Sequence, residues 1–132
     1  MHVDNDELYT NYRMFKTSFC VEPYYLMLPY NYMITMFKFR TTNNNLPVNT
    51  LRYTDTPRNE RICGKCNLLD VADEFHYLFA CPFFDADRKR YLPKYFLNRP
   101  SAYKFQTLFT SKKRKVLIKL RHFISVINNA FR

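Results

Sequence analysis

The sequence predicts an all-α fold: a small, irregular helical domain stapled through its middle by cysteine and histidine side chains. Apolar residues recur at three- and four-residue spacing in the longer segments, and strand-like alternation is weak throughout. Prolines at 23, 29, 47, 57, 82, 93 and 100 cut the chain into short helical pieces. With 132 residues, 47% of them apolar and 18% aromatic, the chain is a single domain spanning 1–132, able to bury a core and too apolar to stay unfolded. It contains one glycine, Gly64, which excludes glycine-rich phosphate loops and a dinucleotide fingerprint.

Residues 1–57 read as N-terminal helices and a loop. Asp4 and Glu7 form a capping box ahead of Leu8, Tyr12, Phe15 and Phe19, which recur at helical spacing. Pro23 suits a first helical position and Pro29 ends that short turn. Tyr30 to Arg40 reads as a mostly buried helix with Met33, Ile34, Met36 and Phe37 spread around it. Thr41 to Arg58 is polar, with three consecutive asparagines and two prolines, and reads as loop. Cys20 has no partner at ligand spacing and reads as a free buried thiol.

Residues 58–92 carry the chemistry. Cys63, Cys66, His76 and Cys81 follow the pattern C-x2-C-x9-H-x4-C, three thiolates and one imidazole, the soft and borderline ligands that a tetrahedral zinc ion takes. The fold class is therefore all-α with one Cys3His zinc knuckle, and the implied cofactor is one structural Zn2+. Gly64 falls inside the Cys63–Cys66 turn, where a residue tolerant of positive φ is expected. Asp73 or Asp70 caps a short helix through Phe75, His76 and Phe79, and Cys81 lies just past its end. Phe75, Leu78 and Phe79 pack that helix on the core, Pro82 starts the next one, and Glu74 or Asp73 orients the imidazole. A thioredoxin-type dithiol is the competing reading of Cys63-Gly64-Lys65-Cys66. That fold needs a βαβ context which these loop-like flanks lack.

Residues 93–132 read as basic C-terminal helices. The net charge is +10, and positions 93–132 hold 10 basic and no acidic residues, while 1–50 hold 4 of each and 51–92 hold 7 of each. Ser101 caps a helix presenting Phe105, Leu108 and Phe109. Ser111 caps the last helix, whose stripe is Val116, Leu120, Phe123, Ile124, Ile127 and Phe131, with Arg114, Lys115, Arg121 and His122 off that stripe. An acid-free basic segment attracts polyanions by releasing their counterions. Lys112, Lys113, Arg114, Lys115, Lys119 and Arg121 are the candidate nucleic-acid contacts, aimed at an RNA or DNA backbone. Tyr53, Tyr91 and Tyr95 are the tyrosines to test for base stacking.

The segment Glu60-Arg61-Ile62-Cys63 through Asp73-Glu74-Phe75-His76-Tyr77-Leu78-Phe79-Ala80-Cys81-Pro82-Phe83 resembles the C-terminal zinc-binding region of non-LTR (LINE-type) retrotransposon reverse transcriptases. Tyr12-Arg13-Met14-Phe15-Lys16, Phe39-Arg40, Leu46-Pro47-Val48, Arg52 and Asp87-Arg88-Lys89-Arg90-Tyr91-Leu92 are similar to flanking blocks of that family. The chain departs from it at Asn44 and Leu51, where the family often has a histidine and a glycine. The resemblance implies a tail that helps a polymerase grip template RNA or target DNA, with a reverse transcriptase core as a further partner.

No catalysis is expected. A Tyr/Phe-x-Asp-Asp polymerase centre is missing from this chain, no carboxylate follows Asp87, and four protein ligands leave zinc no open position for water. No membrane partner or small-molecule substrate is expected: about 18 uninterrupted apolar residues occur nowhere. The acidic N-terminus lacks the pattern of a secretory signal, so the expected location is intracellular, in nucleus or cytoplasm. Beside the nucleic-acid module stand two alternatives. One is a structural or protein-interaction remnant that holds zinc but binds no nucleic acid; the other is a thiol oxidoreductase whose activity survives a chelator.

Overall fold

The computed structural model describes residues 27–131. The capping box at Asp4 and Glu7, the helix from Leu8 to Phe19, Cys20 and the Pro23 turn lie outside the described residues. Within them the fold is all-helical: α1 (Tyr30–Arg40), α2 (Pro47–Thr50), α3 (Asp85–Tyr91), α4 (Lys94–Leu97), α5 (Ala102–Phe109) and α6 (Arg114–Asn129), with shorter helical turns between them. No strand occurs among the described residues; Ile62 and Val71 form a single antiparallel bridge.

The long helix α6 is the spine. Leu117, Leu120, Phe123, Ile124 and Ile127 recur every three or four residues and are all buried. α1 packs against it on one side and α3 on another. That two-sided packing widens the buried stripe: it takes in Leu117, which the sequence stripe omits, while Val116 and Phe131 are only partly buried. α1 has the expected limits, but Met36, Phe39 and Arg40 are its buried residues, and Phe37 faces solvent.

Proline and serine set several boundaries. Ser101 Oγ accepts from the Lys104 amide at 3.2 Å and starts α5, whose Phe105, Leu108 and Phe109 are fully buried, as the sequence predicts. The rings of Phe39 and Phe109 stack at 6.2 Å and tie α1 to α5. Ser111 does not cap α6: its hydroxyl accepts from the Lys113 amide outside the helix, which begins at Arg114 without a side-chain cap. The reading of Thr41 to Arg58 as loop also needs correction. Pro47, with φ already set for a helix and no amide to leave unpaired, starts α2, and 3-10 turns follow at Leu51–Thr54 and Arg58–Glu60.

Candidate metal centre

The ligand-bearing segment is built from an irregular loop and an under-wound helix end. The backbone amide of Cys63 donates to Asp70 O at 3.0 Å and that of Ala72 to Arg61 O at 2.8 Å, closing the loop that carries Cys63 and Cys66. Inside it the Lys65 amide donates to Cys63 Sγ at 3.3 Å, so the thiol is held by its own turn. Gly64 does not supply a positive φ; Leu69 does, at φ 60°. A Cβ built on Gly64 meets nothing within 4 Å, so neither backbone conformation nor space demands glycine there.

Asp73 is the helix cap: its Oδ1 accepts from the His76 amide at 2.8 Å. From His76 to Ala80 the helix widens to π geometry, and the Cys81 amide reaches back to His76 O at 2.7 Å. This bulge puts residues five apart in register, bringing the end of the turn at Cys81 back toward the imidazole. Pro82 then starts a 3-10 turn that leads into α3, matching the sequence reading. Leu78 and Phe79 are buried and Phe75 partly so, its ring 5.4 Å from Phe79 and 6.0 Å from Phe105.

The four predicted ligands converge. One ligand atom from each of Cys63, Cys66, His76 and Cys81 lies within 4.8 Å of all the others. A tetrahedral zinc ion with its usual bond lengths separates two sulfurs by about 3.8 Å and a sulfur from an imidazole nitrogen by about 3.5 Å. Cys63 Sγ and Cys81 Sγ are 3.8 Å apart, and Cys66 Sγ and His76 Nε2 are 3.5 Å apart. A disulfide would need about 2 Å, and the three thiols are free. The cluster can therefore hold a metal ion such as zinc.

The electrostatics of the thiols and imidazole follow from this packing. Burial alone raises the Cys63 thiol, but the polar groups around it, the nearby Tyr77 hydroxyl, the Lys65 amide and the neighbouring thiols, outweigh it and bring Cys63 below the ordinary thiol value. Cys81, buried and facing Cys63, is pushed up to about 12. The two thiols thus shift in opposite directions across a 3.8 Å contact, and a divalent ion bound to both would favour both thiolates. Burial lowers the pKa of His76, with Asp70 and Asp73 opposing, so a neutral imidazole with a free nitrogen lone pair is favoured. Tyr77, fully buried with its ring 5.1 Å from His76, closes the inner wall.

The residue beside the imidazole is Asp70, whose Oδ2 lies 3.5 Å from His76 Nδ1, and not Glu74 or Asp73. Asp73 is occupied by the cap and by an ion pair with Arg58 at 3.1 Å. Glu74 is fully buried on the opposite side, where its Oε1 accepts from Asn44 at 2.9 Å and Asn49 at 2.8 Å. Arg88 was missed as a member of the site. Its buried guanidinium donates to Leu78 O at 2.8 Å and Tyr77 O at 3.0 Å, carbonyls at the end of the π turn, and to Cys81 O at 2.9 Å, which also accepts from the Phe84 amide at 3.3 Å. No sequence signal separates it from Lys89 and Arg90, which are exposed beside it.

The six candidate nucleic-acid contacts are not equivalent. Lys112, Lys113, Lys115 and Lys119 are exposed, and Arg114 is exposed while its Nε donates to Met27 O at 3.1 Å. Arg121 is half-buried, its guanidinium 4.2 Å from the Tyr32 ring centre, and His122 packs edge-on to the same ring at 5.9 Å. Tyr53 and Tyr95 are exposed; Tyr91 is half-buried and stacks on Phe123 at 6.3 Å. No helix among the described residues is long and apolar enough to cross a membrane. The chain matches no protein-family model, no curated protein and no solved structure.

Proposed function

We propose that this chain is a non-catalytic module in which Cys63, Cys66, His76 and Cys81 hold one structural Zn2+ and the start of α6 grips the phosphate backbone of RNA or DNA. The observation that carries the metal half is the spacing of 3.8 Å between two sulfurs and 3.5 Å between the third and the imidazole nitrogen, which suits a tetrahedral ion. Four protein ligands close such an ion to water, so its contribution is to folding: it fastens residues 61–82 to the helices. Three thiolates and one Zn2+ sum to −1, so the net charge falls from +10 to about +9 and the cationic character remains.

The nucleic-acid half is supported by the exposure of Lys112, Lys113, Lys115 and Lys119 in a segment without a single carboxylate. The likeness of the Cys/His segment to the tail of non-LTR retrotransposon reverse transcriptases favours the same reading. Metal analysis of purified protein tests the first half: one zinc per chain, lost in Cys63→Ser and His76→Ala. A salt titration tests the second. With about five phosphates neutralised, log affinity falls with log salt at a slope near −4 to −5; a flat response rejects it.

A second reading, a zinc-bearing remnant that docks on a polymerase core and leaves nucleic acid alone, is favoured by one observation. Leu68 and Leu69, at the tip of the loop between the two ligand pairs, are exposed. That reading predicts stoichiometric zinc with no salt-dependent binding of any oligonucleotide.

A further inference from the structure

The end of α3, the start of α4 and the first turns of α6 line a cleft of about 380 Å³. Five cations line it: Lys89, Arg90 and Lys94 from the α3–α4 side, Lys115 and Lys119 from α6. Its remaining lining is apolar, with Tyr91 and Val116 half-buried and Leu92 buried, and no carboxylate belongs to it. Lys89 pairs with Asp85 at 3.0 Å. Arg90, Lys94, Lys115 and Lys119 have no carboxylate partner among the described residues.

This concentration of charge opposes the local preferences of the chain. Arg114 and Lys115 occupy the first turn of α6, which holds no acidic residue, and cations are disfavoured at that end of the helix dipole. Lys115 and Lys119 stand one turn apart on the same face, a like-charge pair. Four like charges facing a concavity, with no carboxylate partner among the described residues, form an arrangement that an anion relieves.

We propose that this cleft seats one nucleotide of an unpaired strand, its phosphate on the cationic rim and its base against Tyr91 and Val116. This rests on the nucleic-acid reading above and adds to it both a place and a substrate class. A duplex turns its bases inward and would meet only the rim. An unpaired nucleotide brings an anion and an apolar planar face together, which is the pairing the cleft presents. Arg90, whose guanidinium lies 5.3 Å from the Tyr91 ring centre, joins the two halves of the site.

The zinc-loaded chain is titrated by fluorescence anisotropy with a ten-nucleotide oligo-dT and with the same strand in a duplex, at one salt concentration. A featureless basic surface favours the duplex, which has the higher charge density. The cleft predicts the single strand to bind more tightly. Two variants of equal charge change, Arg90→Glu/Lys94→Glu and Lys112→Glu/Lys113→Glu, are then compared after zinc content and far-ultraviolet dichroism show both folded. The first pair should weaken single-strand binding at least about tenfold more than the second, and lower the salt slope by about two. Tighter duplex binding, or equal losses in the two variants, overturns the cleft and leaves backbone gripping intact. Failure of the wild-type chain to bind either oligonucleotide overturns both. Should either variant misfold, the strand preference of the wild-type chain still decides.

Discussion

Replacing Arg88 with alanine asks whether the ligand-bearing turn is held by its zinc ligands alone or also by the side chain beneath it. The Arg88 guanidinium is buried and makes three hydrogen bonds of 2.8–3.0 Å to the carbonyls of Tyr77, Leu78 and Cys81. Burial pulls its pKa down while Asp85 and Cys81 oppose, and an arginine in such a place stays charged. Alanine leaves the buried Tyr77 and Leu78 carbonyls without a donor, at roughly 1–3 kcal/mol each, while Cys81 O keeps the Phe84 amide at 3.3 Å. The expected loss is about 3–5 kcal/mol, a large share of the roughly 5–15 kcal/mol that holds a domain together. Because those carbonyls belong to the turn between His76 and Cys81, zinc affinity should also drop by about 10–100-fold. Arg88→Lys keeps the charge but loses the planar fork, so it should fall between. Urea unfolding of the zinc-loaded protein and competition with a chromogenic chelator measure the two effects. An alanine variant with the wild-type midpoint and wild-type zinc affinity would refute the assignment of Arg88 as the support of this turn.

Gly64→Ala should fold and bind zinc as the parent does, gaining up to about 1 kcal/mol from a stiffer unfolded chain, since a Cβ there meets no neighbour and φ is not positive. A tenfold loss of zinc affinity by chelator competition would show that the turn does need glycine. Asp70→Asn removes the carboxylate 3.5 Å from His76 Nδ1; because Asp70 is 54% exposed, the effect should sit near the low end for such partners, about tenfold in affinity, with little change in urea midpoint. Acid should release the metal. His76 is held below its usual 6.5, so its imidazole is already neutral at pH 7, whereas Cys81, pushed up to about 12, must lose a proton to bind. Protons and zinc therefore compete, and affinity should fall about tenfold per pH unit for each proton displaced, with about two or three displaced near neutrality. Calorimetry in buffers of differing ionisation enthalpy counts those protons, and an affinity unchanged between pH 8 and pH 6 contradicts the ligand set.

The sequence was most informative where the physical constraint is local. The ligand spacing, the Ser101 cap, the Pro82 start and the limits of Tyr30–Arg40 each depend on residues within a turn or two of one another, and the structure has them in place. What stayed illegible is the polar interior. Glu74 reads as a spare carboxylate beside His76, but it is buried against Asn44, thirty residues earlier in the chain. Arg61 is one of many arginines until its guanidinium is found on Val48 O at 2.9 Å and Thr56 O at 2.9 Å. Nor could the sequence foresee that Tyr32 on α1 covers Arg121 and His122. The buried polar groups around the ligand-bearing segment have a physical cause. A loop of cysteines and a π turn cannot satisfy their own backbone as a regular helix does, so buried donors and acceptors must be brought from elsewhere. Among the described residues, Asn49, Arg61, Glu74, His76 and Arg88 are buried polar side chains that lie within the ligand-bearing segment or bond to it. Asn44 shows the consequence. Its amide nitrogen donates to Glu74 while its Oδ1 accepts from the Leu46 amide at 3.1 Å, fastening the start of α2 to the ligand-bearing turn. The stretch from Thr41 to Arg58, which reads as loop in the sequence, is thus fastened to the ligand-bearing segment through Asn44, Asn49 and Arg58.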